Sequence, residues 1–340
     1  MTSSTERSLA VTTALRGCGE LGPHDAVAGL EQLPGGWSRH SFLAHTSAAS
    51  GEERRYIVRV KPSGALLDTD LALEYRVYAA LEDVPVPTPQ AYALVEDAQT
   101  PFGGPFIVMQ HIAGVAPNMY SREDQARLAD DWRGSRGIAG DMAENLARIH
   151  GVARERLPRE VPALDFLDVV ARWRDVYQEK HLIRDPVIEE AFDWVHARVP
   201  NDSWPGLVHG DYRIGNTLVA DGRVRAILDW ELAYCGDVRF DLGYLALARA
   251  AGKHLRARSP LMGTFAEQQW FMDRYGQLTE RSVDEEVLRT FQMLGIMMLL
   301  ATQFTAVWMY SRGLTSDFRM AWSRFSFAGL RQDMIRLMQW

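Results

Sequence analysis

The sequence predicts an α+β protein, with a small β-rich lobe followed by a larger helical one. Three features carry this. The first third holds short β-branched and aromatic runs bounded by Gly and Pro, the mark of strands. From about residue 115 apolar residues recur at helical spacing. One hairpin signal, Asp221-Gly222 between two apolar runs, interrupts the helices. At ~100–200 residues per domain, a chain of 340 residues accommodates two such lobes.

In chain order, residues 9–33 read as one or two short amphipathic helices. A Gly turn at Gly35 and Gly36 leads into a strand that runs to Leu43. Residues 56–60 form a second strand, ended by Pro62. Leu71–Leu81 is helical. The alternation of Val84, Pro85, Val86, Pro87, Thr88 and Pro89 excludes a regular element, because each proline removes a donor and restricts the residue before it. Residues 106–109 form a buried strand, and Gly114 and Pro117 keep the next stretch irregular. Helices are expected over 121–133, 139–150, 164–181 and 186–198, a hairpin over 216–230, and helices again from about 240 to the end. The lobes are therefore 1–112 and 113–340, joined near 110–117.

The net charge of −7 does not favour a nucleic-acid surface. The two cysteines, Cys18 and Cys235, make neither a metal-ligand spacing nor a disulfide framework, and suit a reducing, cytoplasmic setting. Residues 1–17 hold no apolar run after a basic stretch and do not read as a secretory signal. Residues 290–311 carry no charge and reach the ~20 residues that span a bilayer. Gln292, Thr302, Gln303 and Thr305 interrupt them, so a buried core helix is favoured over a membrane span. The same stretch is a candidate homodimer surface.

The chemistry is concentrated in 207–231. A two-residue turn at Asp221-Gly222 sets Ala220 opposite Arg223 and, counting back, Asn216 opposite Ile227. Asp229 lies two residues further on the same face, about 7 Å along at ~3.3 Å per residue. A carboxylate and an amide oxygen are thereby expected at one end of a hairpin, and Mg²⁺ takes oxygen donors of this kind together with substrate phosphates. Asp211 precedes Asn216 by five residues in a Gly-containing loop, where a second carboxylate can accept a hydroxyl proton. His-x-Asp-x-x-x-x-Asn followed by a metal-binding Asp is a kinase catalytic pattern. His209 is read as a brace for this loop.

His209, Gly210 and Asp211 through Asn216, then Ile227 to Glu231, then Gly236 to Gly243, resemble the aminoglycoside phosphotransferase and choline kinase superfamily over roughly 30–330. Gly35 to Ser38, Arg59 to Pro62, Glu74 to Val77 and Val84 to Pro87 are similar to the subgroup that includes the kinase domains fused to acyl-CoA dehydrogenases. The resemblance implies a protein-kinase-like two-lobe fold, with nucleotide on the 1–112 lobe and the catalytic loop and acceptor site on 113–340. It further implies Asp211 as catalytic base, Asn216 and Asp229 as Mg²⁺ ligands, and Asp241 as an anchor of the catalytic loop. For ATP or GTP it implies a covering loop with Gly36 and Ser38, and a phosphate-binding cation that is Arg59 or Lys61. It also implies a Glu74 partner for that cation and hinge contacts from the backbones of Gln110 and Ile112.

The expected activity is transfer of the nucleotide's γ-phosphate to a hydroxyl of a small substrate, with no nucleic-acid or membrane partner. The alternative is a catalytically degenerate relative that binds nucleotide or a small molecule, and Arg in place of the family's lysine is the feature that favours it. Residues 312–340 carry five arginines against two aspartates, the wrong sign for a polycation. A neutral or anionic, partly apolar acceptor is expected.

Overall fold

The computed structural model describes residues 3–34, 39–47, 53–62, 66, 69–181, 183–247 and 259–339. They form two compact units, Met1–Val84 with Thr88–Ala113, and Pro85–Pro87 with Gly114–Trp340.

The first unit opens with helix α1, Ser4–Gly17, started by a capping box in which Ser3 and Glu6 exchange hydrogen bonds. Five strands come next: β1 Ala26–Gln32, β2 His40–Ser47, β3 Arg55–Val60, β4 Ala91–Val95 and β5 Phe106–Gln110, with helix α2, Leu71–Leu81, between β3 and β4. They make one sheet in the order β1-β2-β3-β5-β4, antiparallel at every pairing. Residues 26–32, expected to be helical, form β1 instead. Ala, Leu, Glu and Gln there favour a helix, but β2 offers a ladder along the whole segment, and tertiary pairing overrides so weak a local preference. The Gly turn at 35–38 lies outside the described residues.

Side chains alternate across a strand, and this sorts β3. Tyr56, Val58 and Val60 join Val11 and Leu15 of α1, Val27, Phe42, Ala44, Phe106 and Val108 in one core. Ile57 and Arg59 therefore emerge on the opposite face. On α2, Glu74 lies within the buried stripe with Leu71, Val77, Tyr78 and Leu81.

The second unit is mostly helical: α3 Arg122–Arg133, α4 Gly137–His150, α5 Phe166–Lys180, α6 Pro186–His196, α7 Arg239–Leu247, α8 Gln268–Thr279, α9 Glu285–Ser311, α10 Phe318–Trp322 and α11 Phe327–Met338. By length and composition α9 could cross a membrane, but 67 % of its most apolar window is buried within the protein. It packs on α5, α6, α7, α10 and α11, which puts most of 290–311 out of reach of a second copy. At the α7–α9 crossing, a Cβ on Gly243 would lie 2.6 Å from Phe291 backbone carbon. Only glycine lets the helices approach so closely.

Two short antiparallel pairs position the loops. β6, Pro205–Val208, pairs with β9, Tyr234–Asp237, with Val208 opposite Tyr234. The segments that leave β6 and enter β9 thus start side by side. β7, Thr217–Ala220, pairs with β8, Arg223–Ile227, through a turn with φ of 53° at Asp221 and 68° at Gly222, the type I′ signature. Ala220 faces Arg223 as expected, but Thr217, not Asn216, faces Ile227. Arg225 is an extra residue on β8, a bulge that slips the register by one.

Candidate functional site

The loop after β6 carries His209, Gly210 and Asp211, and a 3-10 turn, Ile214–Asn216, returns the chain to β7. Asp241, in the first turn of α7 and fully buried, fixes the loop's start. Its Oδ2 accepts the His209 N–H at 2.7 Å and its Oδ1 the Gly210 N–H at 2.9 Å. Gly210 has φ +85°, and a Cβ there would stand 2.7 Å from Leu232 O. The middle of the loop is tied to α4 by the Tyr212 hydroxyl, which donates to Met142 O at 2.7 Å. Burial first, then the charges of Asp241 and Asp141, hold this phenol well above its ordinary pKa, so it remains a donor.

His209 braces the loop. Its Nε2 lies 3.0 Å from Leu228 O, and its Nδ1 accepts the Asp211 N–H at 3.2 Å. A carbonyl only accepts, so the hydrogen sits on Nε2 and the ring joins the loop to the end of β8.

Asp211 receives three side-chain donors. The Tyr244 hydroxyl reaches Oδ1 at 2.5 Å, Arg213 Nε spans both oxygens at 3.1 and 3.2 Å, and Asn216 Nδ2 reaches Oδ2 at 2.7 Å. These contacts fall two on each oxygen of a carboxylate that offers about four lone-pair positions in all. Burial first, then the Asp211 charge, pushes Tyr244 well above the ordinary phenol range. Tyr120 is raised in the same way, with Arg213 partly offsetting the shift. Burial works against the charge on Arg213, but Asp211, Tyr244, Tyr120 and Asp229 outweigh it, and the guanidinium stays charged.

Asn216 also donates from Nδ2 to Asp211 O at 2.9 Å. Both partners are acceptors, so the nitrogen must face them, and the amide oxygen Oδ1 is turned away from Asp211. Asp229 comes just after β8 with φ +72°, an uncommon setting for a non-Gly residue. It is tied to Asn216 through its neighbour, because the Leu228 N–H donates to Asn216 O at 2.8 Å. The two residues are thus linked by this bond and not by a shared strand face. An amide oxygen and a carboxylate are hard donors that fit Mg²⁺. Among the described residues no group of three or more His, Cys, Asp or Glu forms a metal cluster, and Mg²⁺ held by one or two carboxylates does not require one.

In the first unit, Arg59 Nε lies 3.1 Å from Glu74 Oε1, across the β3 face away from α1. Arg39, which sequence reasoning missed, lies 3.5 Å from Glu74 Oε2 and donates to Thr69 Oγ1 at 2.8 Å. Lys61 lies just past β3, with its N–H donated to Pro105 O at 3.0 Å. The Gln110 N–H is given to Gln90 O at 2.8 Å. Ile112 lies just past β5 and is half-buried. Gly36 and Ser38 lie outside the described residues.

The sequence also missed Arg213, Tyr244 and His150. For Arg213 a signal existed, a cation two residues from the loop aspartate. Tyr244 and His150 come from helices 33 and 91 residues from their partners, and no local pattern announces them.

Comparison with known proteins agrees with this architecture. The chain is 29 % identical over 235 residues to acyl-CoA dehydrogenase family member 10 of Mus musculus, covering 64 % of this chain and 20 % of that protein. It spans about a fifth of that relative. A candidate aminoglycoside phosphotransferase of Ralstonia eutropha superposes with a TM-score of 0.75 at 22 % identity, covering 97 % of this chain and 98 % of the other. A thermostable mutant of the aminoglycoside phosphotransferase APH(4)-Ia, solved with ADP and hygromycin B, gives 0.60 at 16 % identity, covering 98 % and 99 %. Both share the protein-kinase-like fold. The sequence profile of the phosphotransferase enzyme family matches residues 29–275, and with most of its length so matched the chain belongs to that family.

Proposed function

We propose that the protein is a small-molecule kinase that transfers the γ-phosphate of ATP or GTP to a hydroxyl of a small substrate. One observation carries the proposal: Asn216 donates from Nδ2 to Asp211 Oδ2 and O at 2.7 and 2.9 Å, which turns its amide oxygen away from Asp211, while its backbone carbonyl takes the N–H of Leu228, next to Asp229. Asn216 Oδ1 and the Asp229 carboxylate would hold Mg²⁺, and a bound metal would neutralise charge on the nucleotide phosphates.

The chain's own residues supply the rest. Asp211 accepts the proton of the acceptor hydroxyl and keeps that oxygen aimed at the phosphoryl group. Tyr244 and Arg213 hold the carboxylate in one orientation, and Asp241 fixes the backbone from which it projects. Arg59, held by Glu74, is the cation offered to the nucleotide phosphates, with Lys61 beyond the end of the strand as the alternative. The Gln110 carbonyl and the Ile112 backbone would meet the base, and the segment with Gly36 and Ser38 would cover the phosphates.

The charged Arg213 beside Asp211 supports a neutral or anionic acceptor over a polycation. A cytoplasmic location, with nucleotide at hand, belongs to the same proposal. One observation favours a second reading, a nucleotide-binding relative without turnover: Arg59 and Arg39 share one carboxylate, so Arg59 is held differently from a single paired lysine.

The test is a thermal melt with and without millimolar Mg-ATP and Mg-GTP, on the parent, Asp229→Ala and Asn216→Ala. A ligand at ~100 times its Kd adds roughly 2.7 kcal/mol to the native state. A rise in the parent that is lost in both variants is expected. No rise with either nucleotide would contradict a nucleotide site.

A further inference from the structure

Two unusual features converge under the catalytic loop. Asp241 is fully buried, and its carboxylate links α7 to the backbone N–H groups of His209 and Gly210. Behind it stands His150, the last residue of α4, with 2 % of its side chain exposed. His150 Nε2 lies 3.2 Å from Asp241 Oδ2, and its Nδ1 lies 2.7 Å from the Tyr275 hydroxyl of α8.

The proton order comes from chemistry. A carboxylate accepts only, so Nε2 carries the hydrogen that faces Asp241. The buried Tyr275 hydroxyl then has Nδ1 as its acceptor. Burial, with the nearby Asp241 and Asp237 charges and against an opposing Arg281, keeps that phenol protonated. Tyr275 fixes the tautomer of His150, His150 completes the solvation of Asp241, and Asp241 fixes the two amides that precede Asp211. Such a directed chain of bonds strengthens each member. The Tyr275 ring also meets the imidazole edge-on, with centroids 5.6 Å apart, so the ring plane is held as well as its hydrogen bonds.

We infer that His150 and Tyr275 are positioning residues for phosphoryl transfer, holding the catalytic loop through Asp241 so that Asp211 is presented in one fixed place. This rests on the reading of Asp211 as the catalytic carboxylate. A filler at this site would need only the right volume. A positioning residue needs a donor at the Nε2 point, and glutamine can supply one from its side-chain amide.

The experiment uses the full chain with His150→Leu, His150→Gln and Tyr275→Phe. Two readouts are taken: hydrogen–deuterium exchange of the peptide over 207–212, and kcat against KM for nucleotide turnover. In His150→Leu the loop amides should exchange about tenfold to a hundredfold faster, the span that loss of one hydrogen bond to a charged group corresponds to. Its kcat should fall by a similar factor while KM for nucleotide holds. His150→Gln should recover most of both, and Tyr275→Phe should lie between. Loop exchange at the parent rate in His150→Leu, or no recovery with glutamine, would overturn the inference. Should His150→Leu fail to fold, Tyr275→Phe against His150→Gln decides by the same exchange readout. A parent with no turnover would count against the kinase proposal, and the exchange arm would still decide this one.

Discussion

Replacing Glu74 with glutamine should destabilise the first unit more than its single changed atom suggests. Glu74 is fully buried between two guanidiniums, Arg39 at 3.5 Å and Arg59 at 3.1 Å. The trio carries a net charge of +1, and removing the carboxylate leaves a buried Arg39 and a largely buried Arg59 as like charges without it. Breaking a buried pair by deleting one partner costs about 3–5 kcal/mol, which at roughly 2–4 °C per kcal/mol lowers the melting temperature by about 6–20 °C. Arg39→Met should cost less, about 1–2 kcal/mol, because it leaves a neutral Arg59–Glu74 pair and gives up chiefly the bond to Thr69. Adding Arg59→Met to Glu74→Gln should restore part of the loss, since it removes one of the two like charges that remain, and a double-mutant cycle reads that coupling. The assay is thermal unfolding without nucleotide, so ligand effects do not enter. A Glu74→Gln protein that melts within about 2 °C of the parent, at most about one kcal/mol by the same scale, would refute the claim that this carboxylate holds both guanidiniums.

Gly210→Ala should cost at least ~2 kcal/mol in the same melt, from the strain of a positive φ and the encroachment on Leu232 O, and a melt unchanged from the parent would contradict it. Cys18 is exposed, while Cys235 is half-buried. Burial, partly offset by Arg154, raises the Cys235 thiol, so a thiol reagent near neutral pH should label Cys18 first and Cys235 slowly, as mass spectrometry of the labelled peptides would show. His111 is lowered by burial first and then by the charges of Arg55 and His45. The folded state therefore binds its proton less readily than the unfolded state, and stability falls as pH drops below about 6.5. His111→Gln should flatten the decline in melting temperature below that pH, and equal slopes would contradict the assignment.

The sequence was most informative where chemistry forces a residue type. Asp221-Gly222 demanded a type I′ turn and has one. Glu74, for which the resemblance implies one cation partner, has two. Less legible was anything settled by partners far away in the chain. Residues 26–32 have helical composition, but β2 claims them as a strand. β4 and β9 are short and gain their identity only from β5 and β6. The bulge at Arg225 has no local mark, and it moved Asn216 off the strand position inferred by counting back from the turn. Asn216 still reaches Asp229's neighbour, through a backbone bond that period-two reasoning could not foresee. The His150–Asp241 contact spans 91 residues, so only the folded chain reveals it.

The most direct test of phosphoryl transfer is nucleotide turnover with Mg-ATP, in parallel with Mg-ATP affinity, for the parent and Asp211→Asn. The acceptor can be a mixture of small hydroxylated compounds. Loss of a general base typically costs about 10²–10⁴ in rate. The expected result is turnover reduced by at least about a hundredfold with affinity within about twofold of the parent. Equal turnover in the two proteins would contradict the role of Asp211 and with it the kinase assignment of this site.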